Sequence, residues 1–441
     1  MQQDAQLKTA YQTVGFLPNE PKSAPVFALS QPISQHPVKF VYNTDKIKFD
    51  VRVIGNLKNW VVMVRSQVCG YAQLEYILGV SFAAVIIGYF RFKYGWVFNL
   101  LTNLNGLSTT GKSTASKLAV SVFGKPVKES NSLYQSFNAT ENSLVHKLGG
   151  NYGVCYALDE SSMSKIEDMT ALIYTLDEGN EKGRLTDQIT VQSGGSWATS
   201  ILMNGENSIL DRTNHNTGLV IRLQEFSHVL WTKDAQHAVA IDTVIQQNYG
   251  VAGLAYVEYL SKDWSIIDTT YEAWCEKLDN YLADSSTKTR MATKYALVMT
   301  GLELAGKALD IPFDLDAVLA FIQENEKTFA IQKDPTQLIL HEVLEDIKNN
   351  KEQYLEDLTQ ILPDAAKGYI RQSHNNSIIV NYVPEKFQEM LVAMGHVNTT
   401  QAISGLIKAN VIKNESGRQT KRIKANGKDK FTSYELHICQ K

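Results

Sequence analysis

Gly106-Leu107-Ser108-Thr109-Thr110-Gly111-Lys112-Ser113 is a complete G-x-x-x-x-G-K-[ST] phosphate loop. Its two glycines permit a tight turn whose backbone N–H groups point inward at phosphate oxygens. In such a loop the lysine reaches the β- and γ-phosphates and the serine hydroxyl holds Mg²⁺. We therefore predict a site for ATP and Mg²⁺; the alternative is a glycine-rich turn that binds no nucleotide.

The sequence around the loop has the order that a phosphate loop requires. A strand-like run, Val97–Leu104, precedes it, and a helix-compatible stretch follows from Lys112 to Phe123, where Gly124-Lys125-Pro126 is a stop signal. The start of that helix would add the positive end of its dipole to the site. The residues predicted to contact the nucleotide are Gly106, Ser108, Thr109, Thr110, Gly111, Lys112, Ser113 and Thr114.

The composition indicates an ordinary globular protein of two or three domains, with 441 residues, 44% hydrophobic and 20% charged, and a net charge of -3. The four cysteines are scattered, which favours neither a zinc site nor a disulfide framework and fits a reducing cytosol. The polar N-terminus does not look like a signal peptide, so we expect a cytoplasmic protein. These cysteines are Cys69, Cys155, Cys275 and Cys439.

One segment, Tyr71–Phe90, is apolar enough to suggest a membrane span. Its uncharged core is shorter than the ~20 residues that cross a bilayer. Charged residues flank it, and it leads directly into the strand before the phosphate loop. We predict a buried core helix, preceded by another helix over Leu57–Cys69, and no membrane partner.

The pattern along the chain predicts four parts. Residues 1–55 hold short β-like runs, such as Val26–Leu29 and Phe40–Tyr42, between Pro and Ser signals, and predict a small β-rich module. Residues 56–262 alternate apolar runs with helical stretches, which indicates an α/β core with a parallel sheet flanked by helices. The candidate strands are Val97–Leu104, Leu133–Phe137, Gly153–Leu158, Trp197–Met203 and Gly218–Leu223.

The remaining two parts are residues 263–361 and 362–441. The first has helical spacing over Tyr271–Leu282 and Thr289–Leu309, which predicts a helical lid, and a charged helical linker over Glu342–Ile361. The last part reads as helix, turn, helix and two-stranded wing, with helices over Glu385–Met394 and Thr399–Ala409. We predict a winged helix for it.

Hydrolysis of a nucleotide also needs a carboxylate for the metal and a group that orients water. The apolar run Gly153–Leu158 ends in Asp159-Glu160, the form of a Walker B strand, with Asp159 on Mg²⁺ and Glu160 activating water. A second strand ends at Asn204, which we predict to contact the γ-phosphate or the water from between the two Walker strands. The alternative is a strand-end turn, because Asn-Gly is a good turn dipeptide.

Arginine from a neighbouring subunit often accelerates such hydrolysis. The candidates are Arg184, Arg212, Arg222 and Arg290. Arg222 follows a strand-like run and is the preferred finger, with Arg212 as its competitor, because a strand end would place it at the edge where nucleotide binds. Arg290 opens a helix of the lid and suits a second sensor position. For each of them the alternative to a functional role is an ordinary surface arginine.

Two regions carry charge suited to DNA. The turn Glu181-Lys182-Gly183-Arg184 looks like a hairpin tip, from which Lys182 and Arg184 would hold the phosphates of a strand. The segment from Lys408 to Lys430 contains eight basic and two acidic residues, which gives a net charge of about +6. Arg418, Lys421, Arg422 and Lys424 are the predicted DNA contacts there. Solvated turns are the alternative for both regions.

Together these stretches resemble one family, the "domain of unknown function" ATPases of plasmids, phages and chromosomal islands, which includes MCM-like self-loading helicases of staphylococcal elements. The segments that carry the resemblance are Gly106–Ser113, Ser136–Asn142, Leu158–Met163, Lys182–Arg184, Trp197–Glu206 and Tyr249–Gly253. The stretch Leu158-Asp159-Glu160-Ser161-Ser162-Met163 is similar to the MCM Walker B form D-E-F-D-K-M, and the Lys182 turn to the MCM pore hairpin.

The resemblance spans roughly residues 10 to 435 and implies an AAA+ ring ATPase, a homo-hexamer that moves along DNA during replication of a mobile element. Two departures matter. Asn204 stands where family members often have Ser or Thr, and the short N-terminal part leads us to expect no large loading domain. Two other hypotheses stay open: an AAA+ DNA-binding regulator without processive unwinding, and a monomeric phosphate-loop kinase.

Overall fold

The computed structural model describes residues 13–17, 24–35, 48–96, 98–181, 184–185, 191–192, 195–213, 217–282, 287–333, 335–373, 377–394, 399–413 and 418–439. The chain divides into two compact units. The first comprises Met1–Thr213 and Gly218–Glu326, and the second comprises Asn214–Thr217 and Lys327–Lys441.

The strands up to residue 227 are β1 (Val14–Phe16), β2 (Phe27–Ala28), β3 (Pro32–Ile33), β4 (Leu100–Asn105), β5 (Tyr134–Ser136), β6 (Asn151–Tyr152), β7 (Tyr156–Asp159), β8 (Arg184–Leu185), β9 (Val191–Gln192), β10 (Ser200–Gly205) and β11 (Leu223–Ser227). The helices up to residue 333 are α1 (Leu57–Met63), which continues as a π-helical turn Val64–Val68, then α2 (Ala72–Tyr94), α3 (Lys112–Ser121), α4 (Glu141–Leu148), α5 (Thr170–Glu178), α6 (Thr217–Arg222), α7 (Ala235–Ile245), α8 (Val251–Leu260), α9 (Ile266–Tyr281), α10 (Lys288–Leu309) and α11 (Leu315–Lys333).

A five-stranded parallel sheet in the order β11-β4-β10-β7-β5 forms the centre of the first unit. Every residue of β4 and β10 is buried, as in parallel strands that are covered on both faces. Because β10 lies between β4 and β7, it separates the strand before the phosphate loop from the strand that ends in Asp159. The predicted parallel α/β core, with a strand wedged between the two Walker strands, is confirmed.

Four of the five predicted strands exist, with shifted ends. Val97–Leu104 contains β4 from residue 100, Leu133–Phe137 contains β5, Gly153–Leu158 overlaps β7, and Trp197–Met203 overlaps β10. The fifth, Gly218–Leu223, is wrong. Residues 217–222 form α6, and the strand begins only at Leu223. The apolar run from Leu219 to Ile221 suits either element, since a short buried run has no period that separates them.

Helix α2 is the core of the first unit. It is apolar on all sides, and 17 of its residues, Leu74 to Phe90, are buried, as expected of a helix surrounded by protein. Within the described part of the chain it is the one helix long and apolar enough to cross a membrane, and 94% of its most apolar window is buried. The predicted core helix over Tyr71–Phe90 and the helix before it are confirmed.

Helix α2 packs most extensively against α10, and two glycines lie where the helices meet. A Cβ on Gly79 would lie 2.7 Å from Val298 Cγ1, and a Cβ on Gly301 would lie 2.7 Å from the backbone nitrogen of Ala83. The close approach of the two backbones therefore depends on residues without a side chain at these points.

The described residues before Asn56 form a small sheet within the first unit. Strands β1 and β2 are antiparallel, β3 extends this sheet, and β1 pairs in parallel with β6 in the sheet order β3-β2-β1-β6. The β character predicted for Val26–Leu29 is confirmed by β2, whereas Phe40–Tyr42 lies outside the described residues. The described strands of this part thus form one sheet with β6, which lies in the segment 56–262.

The second unit contains α12 (Pro335–Asn349), β12 (Tyr354–Leu355), β13 (Gly368–Gln372), β14 (Ser377–Tyr382), α13 (Pro384–Ala393), α14 (Thr399–Lys408), β15 (Ile412–Lys413), β16 (Lys421–Ala425) and β17 (Lys428–Cys439). Its strands form a mostly antiparallel sheet in the order β12-β13-β14-β17-β15, with β16 paired to β17. Both predicted helices, over Glu385–Met394 and Thr399–Ala409, exist, and the basic segment forms the β16–β17 hairpin.

The predicted charged linker helix over Glu342–Ile361 is wrong. Helix α12 ends at Asn349, and β12 follows at Tyr354. Ile339, Val343 and Tyr354 belong to the buried core of the second unit. The charged residues after Glu342 hid the apolar face of α12, on which Ile339, Val343 and Ile347 recur at intervals of four. The segment is part of the second unit and not a spacer.

We predict that Gly301→Ala destabilises the first unit by about 1–3 kcal/mol, because the new methyl group meets backbone atoms of α2. All six tryptophans lie in this unit, so urea unfolding followed by tryptophan fluorescence measures the effect. They are Trp60, Trp96, Trp197, Trp231, Trp264 and Trp274. Gly405→Ala in α14, where a Cβ has open space, should leave this transition within about 0.5 kcal/mol of wild type. Equal midpoints for both variants would contradict the close contact.

Candidate functional site

The phosphate loop connects the carboxyl end of β4 to the start of α3, and its glycines have backbone angles that other residues avoid. Gly106 has φ +137 and Gly111 has φ +89. A Cβ on Gly111 would lie 2.4 Å from Thr232 Oγ1, and one on Gly106 would lie 3.2 Å from the Cα of His228. The segment after β11 therefore supports the loop from outside, and the N–H of Trp231 donates to the carbonyl of Thr110 at 2.8 Å.

Lys112 is buried at the first turn of α3. Its Nζ donates to the carbonyl oxygens of Gly106 and Leu107, at 2.7 Å each, so the ammonium lies within the curve of the loop. Burial lowers the pKa of Lys112, while the carboxylates of Glu160, Glu206 and Asp159 act in the opposite direction. The nearby acids therefore offset part of the effect of burial on the pKa of this ammonium, which lies where a phosphate group would be held.

The hydroxyls of the loop donate hydrogen bonds to neighbouring protein oxygens. Ser108 donates to the carboxylate of Glu206, Thr109 Oγ1 to the carbonyl of Ser108 at 2.5 Å, and Thr110 Oγ1 to the carbonyl of Leu107 at 3.1 Å. Ser108 and Thr109 are exposed, and Thr114 lies half-buried in the first turn of α3. Of the loop residues named from the sequence, Ser108, Thr109 and Ser113 are therefore the exposed ones, whereas Gly106 and Lys112 are buried.

The carboxylate of Asp159 joins the elements of the site. Ser113 Oγ donates to its Oδ1 at 3.2 Å, and the amide of Asn204 donates to the same oxygen at 2.8 Å. Lys128 forms an ion pair with Oδ2, and the hydroxyl of Tyr134 also hydrogen-bonds the carboxylate. Burial by itself raises the pKa of Asp159, but these hydrogen bonds and the charge of Lys128 outweigh it and hold the pKa below its ordinary value.

Glu160 follows Asp159 in a left-handed backbone conformation, with φ +69, which is rare for a residue with a side chain. Its N–H donates to Asn204 Oδ1 at 3.1 Å. Its Oε1 is buried without a hydrogen-bond partner, although buried acceptors are nearly always paired. An unsatisfied carboxylate oxygen beside Lys112 is suited to accept a hydrogen bond from a ligand or water.

Asn204 is the amide that links the two Walker strands. It donates to Asp159 and to Ser116 Oγ, both at 2.8 Å, and accepts from Glu160. The sequence prediction placed Ser113, Asp159, Glu160 and Asn204 at one edge of the sheet, and the structure brings all four together there. Whether Asn204 also contacts a phosphate stays a prediction.

These residues fit ATP with Mg²⁺. Within the described residues no group of three or more His, Cys, Asp or Glu side chains could hold a metal by itself. Mg²⁺ prefers oxygen ligands and is commonly held by one or two protein groups together with phosphates and water. The hydroxyl of Ser113 beside the carboxylate of Asp159 is such a pair.

Sequence reasoning missed several residues that contact the site: Ser116, Lys128, Tyr134 and Glu206. Tyr134 begins β5, next to β7, so the order of strands would have indicated it. Ser116 lies one turn after Lys112 on α3. Lys128 lies between α3 and β5, in no recognisable motif, and the sequence carries no signal for its pairing with Asp159.

The argument for Arg222 as arginine finger does not hold, because it assumed a strand before that residue. Arg222 ends α6 and precedes β11, so it lies at the amino edge of the parallel sheet, opposite the phosphate loop. Its Nε lies 3.1 Å from the carboxylate of Asp177, and its guanidinium stacks over Tyr174. Lys294 of α10 donates to Asp177 and to the carbonyl of Arg222 in the same cluster.

The other arginines have different surroundings. The guanidinium of Arg212 donates to the carbonyls of Ser161 and Ser164, at 3.0 and 3.1 Å, and so holds the turn after Glu160. Arg290 is exposed at the first turn of α10, one turn before Lys294 and hence near the amino edge of the sheet. Its role as a sensor stays a prediction.

The DNA contacts named from the sequence fall into three groups. Lys182 lies outside the described residues, and so does the side chain of Arg184, whose backbone belongs to the antiparallel β8–β9 pair. Arg418, Arg422 and Lys424 are exposed. Lys421 is different, because its Nζ lies 2.7 Å from the buried carboxylate of Glu435, which Arg371 and His437 also contact. Lys421 therefore neutralises an internal charge, a pairing that the basic run did not reveal.

We predict that Asn204→Asp costs more stability than Asn204→Ala, and that the difference grows with pH. The new carboxylate would face Asp159 at hydrogen-bond distance, and like charges raise the pKa of such a pair. The extra loss in free energy of unfolding is therefore about 1–3 kcal/mol at pH 8, where both carboxylates are charged. It disappears as the pH falls through the raised pKa of the pair. Urea unfolding of both variants at about pH 5.5, 7 and 8 measures this difference. A pH-independent difference would contradict the contact.

Comparisons with known proteins bear on the fold and on the sequence resemblance. The sequence model of DUF927, a domain of unknown function, matches residues 1–194. A solved structure described as "SCCmec type IV Cch - active helicase" has a similar fold, with a TM-score of 0.81 and 24% sequence identity over 99% of this chain and 80% of that one. No curated protein sequence matches. The chain thus resembles the DUF927 family over residues 1–194 and has the fold of an SCCmec helicase, which confirms the resemblance drawn from its motifs.

Proposed function

We propose that the protein is an ATP-dependent DNA helicase that acts in the replication of a mobile genetic element. The observation that carries this proposal is the convergence of Lys112, Ser113, Asp159, Glu160 and Asn204 at the carboxyl edge of one parallel sheet. This is the edge at which open α/β sheets bind their ligands. The similarity of fold to a protein described as an active helicase supports the choice of reaction.

The roles of the site residues follow from their positions. Lys112 and the loop would bind the phosphates of ATP, and Ser113 and Asp159 would hold Mg²⁺, which would supply positive charge against the charge that develops on the phosphates. The free oxygen of Glu160 orients and activates the attacking water. Asn204 fixes the relative position of the two carboxylates, since it contacts Asp159 and the backbone of Glu160 together.

The functional unit in this proposal is an AAA+ ring, a homo-hexamer, with arginine supplied between subunits. Arg222 and Arg212 are both held by contacts within the chain, whereas Arg290 is exposed at the start of α10. Among the predicted arginines whose side chains the structure describes, Arg290 is therefore the one that is open to a neighbouring subunit. In the same proposal α9 to α11 form the helical lid and residues 362–441 the winged helix.

DNA would be contacted by two parts of the chain. Lys182 and Arg184 follow from the resemblance to pore hairpins. The β16–β17 hairpin supports a second contact, because Arg422 and Lys424 are both exposed on β16. Lys428 and Lys430 on β17 are also exposed. Lys421 faces the other way, toward Glu435.

The basic hairpin also favours a second candidate, an AAA+ DNA-binding regulator that uses ATP to switch assembly without processive unwinding. The two proposals share the nucleotide site and differ in strand displacement. A forked DNA duplex with a fluorophore and quencher separates them, because a regulator would hydrolyse ATP without releasing the strand.

We predict that Lys112→Ala abolishes ATP binding and unwinding, and that Glu160→Gln retains ATP binding but hydrolyses it at least about 10²-fold more slowly. The reason for the second result is that the amide cannot accept the proton of water. Strand displacement and phosphate release measure both effects. Lys117→Ala is the matched control, since Lys117 lies on the same helix and pairs with Asp242. Unwinding at the wild-type rate in either site variant would refute the proposed roles.

We further predict that the double variant Arg422→Ala, Lys424→Ala binds DNA more weakly and lowers the slope of log affinity against log salt by roughly 1.5, as expected for two lost phosphate contacts. Fluorescence anisotropy of labelled single-stranded DNA across a salt series measures the slope. Lys351→Ala, Lys386→Ala removes two charges elsewhere in the second unit, one exposed and one half-buried, and serves as the control. If both double variants change the slope equally, the hairpin has no specific role.

A further inference from the structure

Lys128 lies outside every motif, yet it contacts the proposed metal ligand. Its Nζ forms an ion pair with Asp159 Oδ2 and lies 5.6 Å from the centre of the Tyr134 ring. Tyr134 hydrogen-bonds the same carboxylate. The side chain of Lys128 is 45% exposed and that of Asp159 is 8% exposed. The pair thus lies at the rim of the site, with the carboxylate inside and the ammonium open to solvent.

The two oxygens of Asp159 have different partners. Oδ1 accepts from Ser113 and Asn204, whereas Oδ2 faces the ammonium of Lys128. A divalent cation bound between Ser113 and Asp159 needs oxygen lone pairs that are directed at it. It would also lie within a few ångströms of the Lys128 charge, where like charges repel strongly. The ion pair and cation binding therefore oppose each other.

We propose that Lys128 is a positioning residue that competes with the divalent cation for Asp159 and so sets the Mg²⁺ concentration at which nucleotide binds. This inference rests on the proposed nucleotide site. Lys128 keeps the buried carboxylate neutralised and directed at Ser113, and it withdraws when the cation binds. Lysine suits this role, because its charge is carried on a flexible stem and makes no rigid bidentate contact.

The neighbouring lysine shows that the pairing is specific to Lys128. Lys125, three residues earlier in the same segment, pairs with Glu129 at 2.5 Å and is remote from Asp159 in its contacts. Removal of Lys125 therefore changes the net charge of the segment equally and leaves the Asp159 pair in place. The two lysines form a matched set for an experiment.

The test measures binding of a fluorescent N-methylanthraniloyl ATP to the full chain while Mg²⁺ is titrated. For Lys128→Ala we expect the Mg²⁺ midpoint, the Mg²⁺ concentration at which nucleotide binding is half-maximal, to fall about fivefold. An ion pair worth roughly 1 kcal/mol corresponds to a factor of about five, and the variant removes this competitor. Lys125→Ala should keep the wild-type midpoint, because it leaves Lys128 beside Asp159. Lys128→Arg should keep or raise the midpoint, because a guanidinium retains the charge and binds a carboxylate at least as firmly. If the alanine variant does not fold, Lys128→Gln replaces it in the test. Its amide has no charge but can still donate a hydrogen bond to the carboxylate.

Three results would overturn the inference. An unchanged or higher midpoint in Lys128→Ala would mean that the lysine does not compete with the cation. Loss of nucleotide binding at saturating Mg²⁺ would mean that Lys128 holds the phosphates directly. Failure of the wild-type chain to bind the nucleotide at any Mg²⁺ concentration would contradict the proposed function itself. The first result differs from this one, because the wild-type chain would bind nucleotide and only the competition would be refuted.

Discussion

The carboxylate of Asp159 is a buried charge, and the first unit is arranged so that this charge has partners. Ser113 comes from the start of α3, Asn204 from the end of β10, Tyr134 from β5 and Lys128 from the segment before it. A buried carboxylate without such partners would cost several kcal/mol. These donors can meet only if β10 lies between β4 and β7 and β5 lies beyond β7, which is the observed strand order. The chemistry of the site therefore constrains the topology of the sheet.

The same contacts explain why nucleotide binding and water activation are coupled in the proposed mechanism. Asn204 contacts Asp159 through its amide nitrogen and the backbone of Glu160 through its oxygen. A shift of the metal ligand would thus move the residue proposed to activate water. Arg212 holds the turn that follows, through the carbonyls of Ser161 and Ser164. The segment after Asp159 is accordingly fixed at both ends, and its left-handed residue Glu160 is kept in place.

Much of this site could be predicted from the sequence, for a specific reason. The motif determines the geometry around Lys112 and Ser113, and parallel strands bring their carboxyl ends to one edge, which unites Asp159 and Asn204 with the loop. Arg222 and Lys421 could not be predicted in the same way. The run before Arg222 fits helix and strand equally, and only the pairing of β11 with β4 decides the matter. The partner of Lys421 is Glu435, across the hairpin, so the basic run overstated the charge that faces solvent.

The central claim is that one nucleotide site, built around Lys112 and Asp159, drives movement on DNA as part of a ring. Electron microscopy of the protein with a non-hydrolysable ATP analogue and forked DNA tests it most directly. We predict closed rings with DNA in the central channel, and nucleotide held between Lys112 of one subunit and an arginine of the next. Single particles that bind nucleotide without ring closure, or rings that exclude DNA from the channel, would contradict the account.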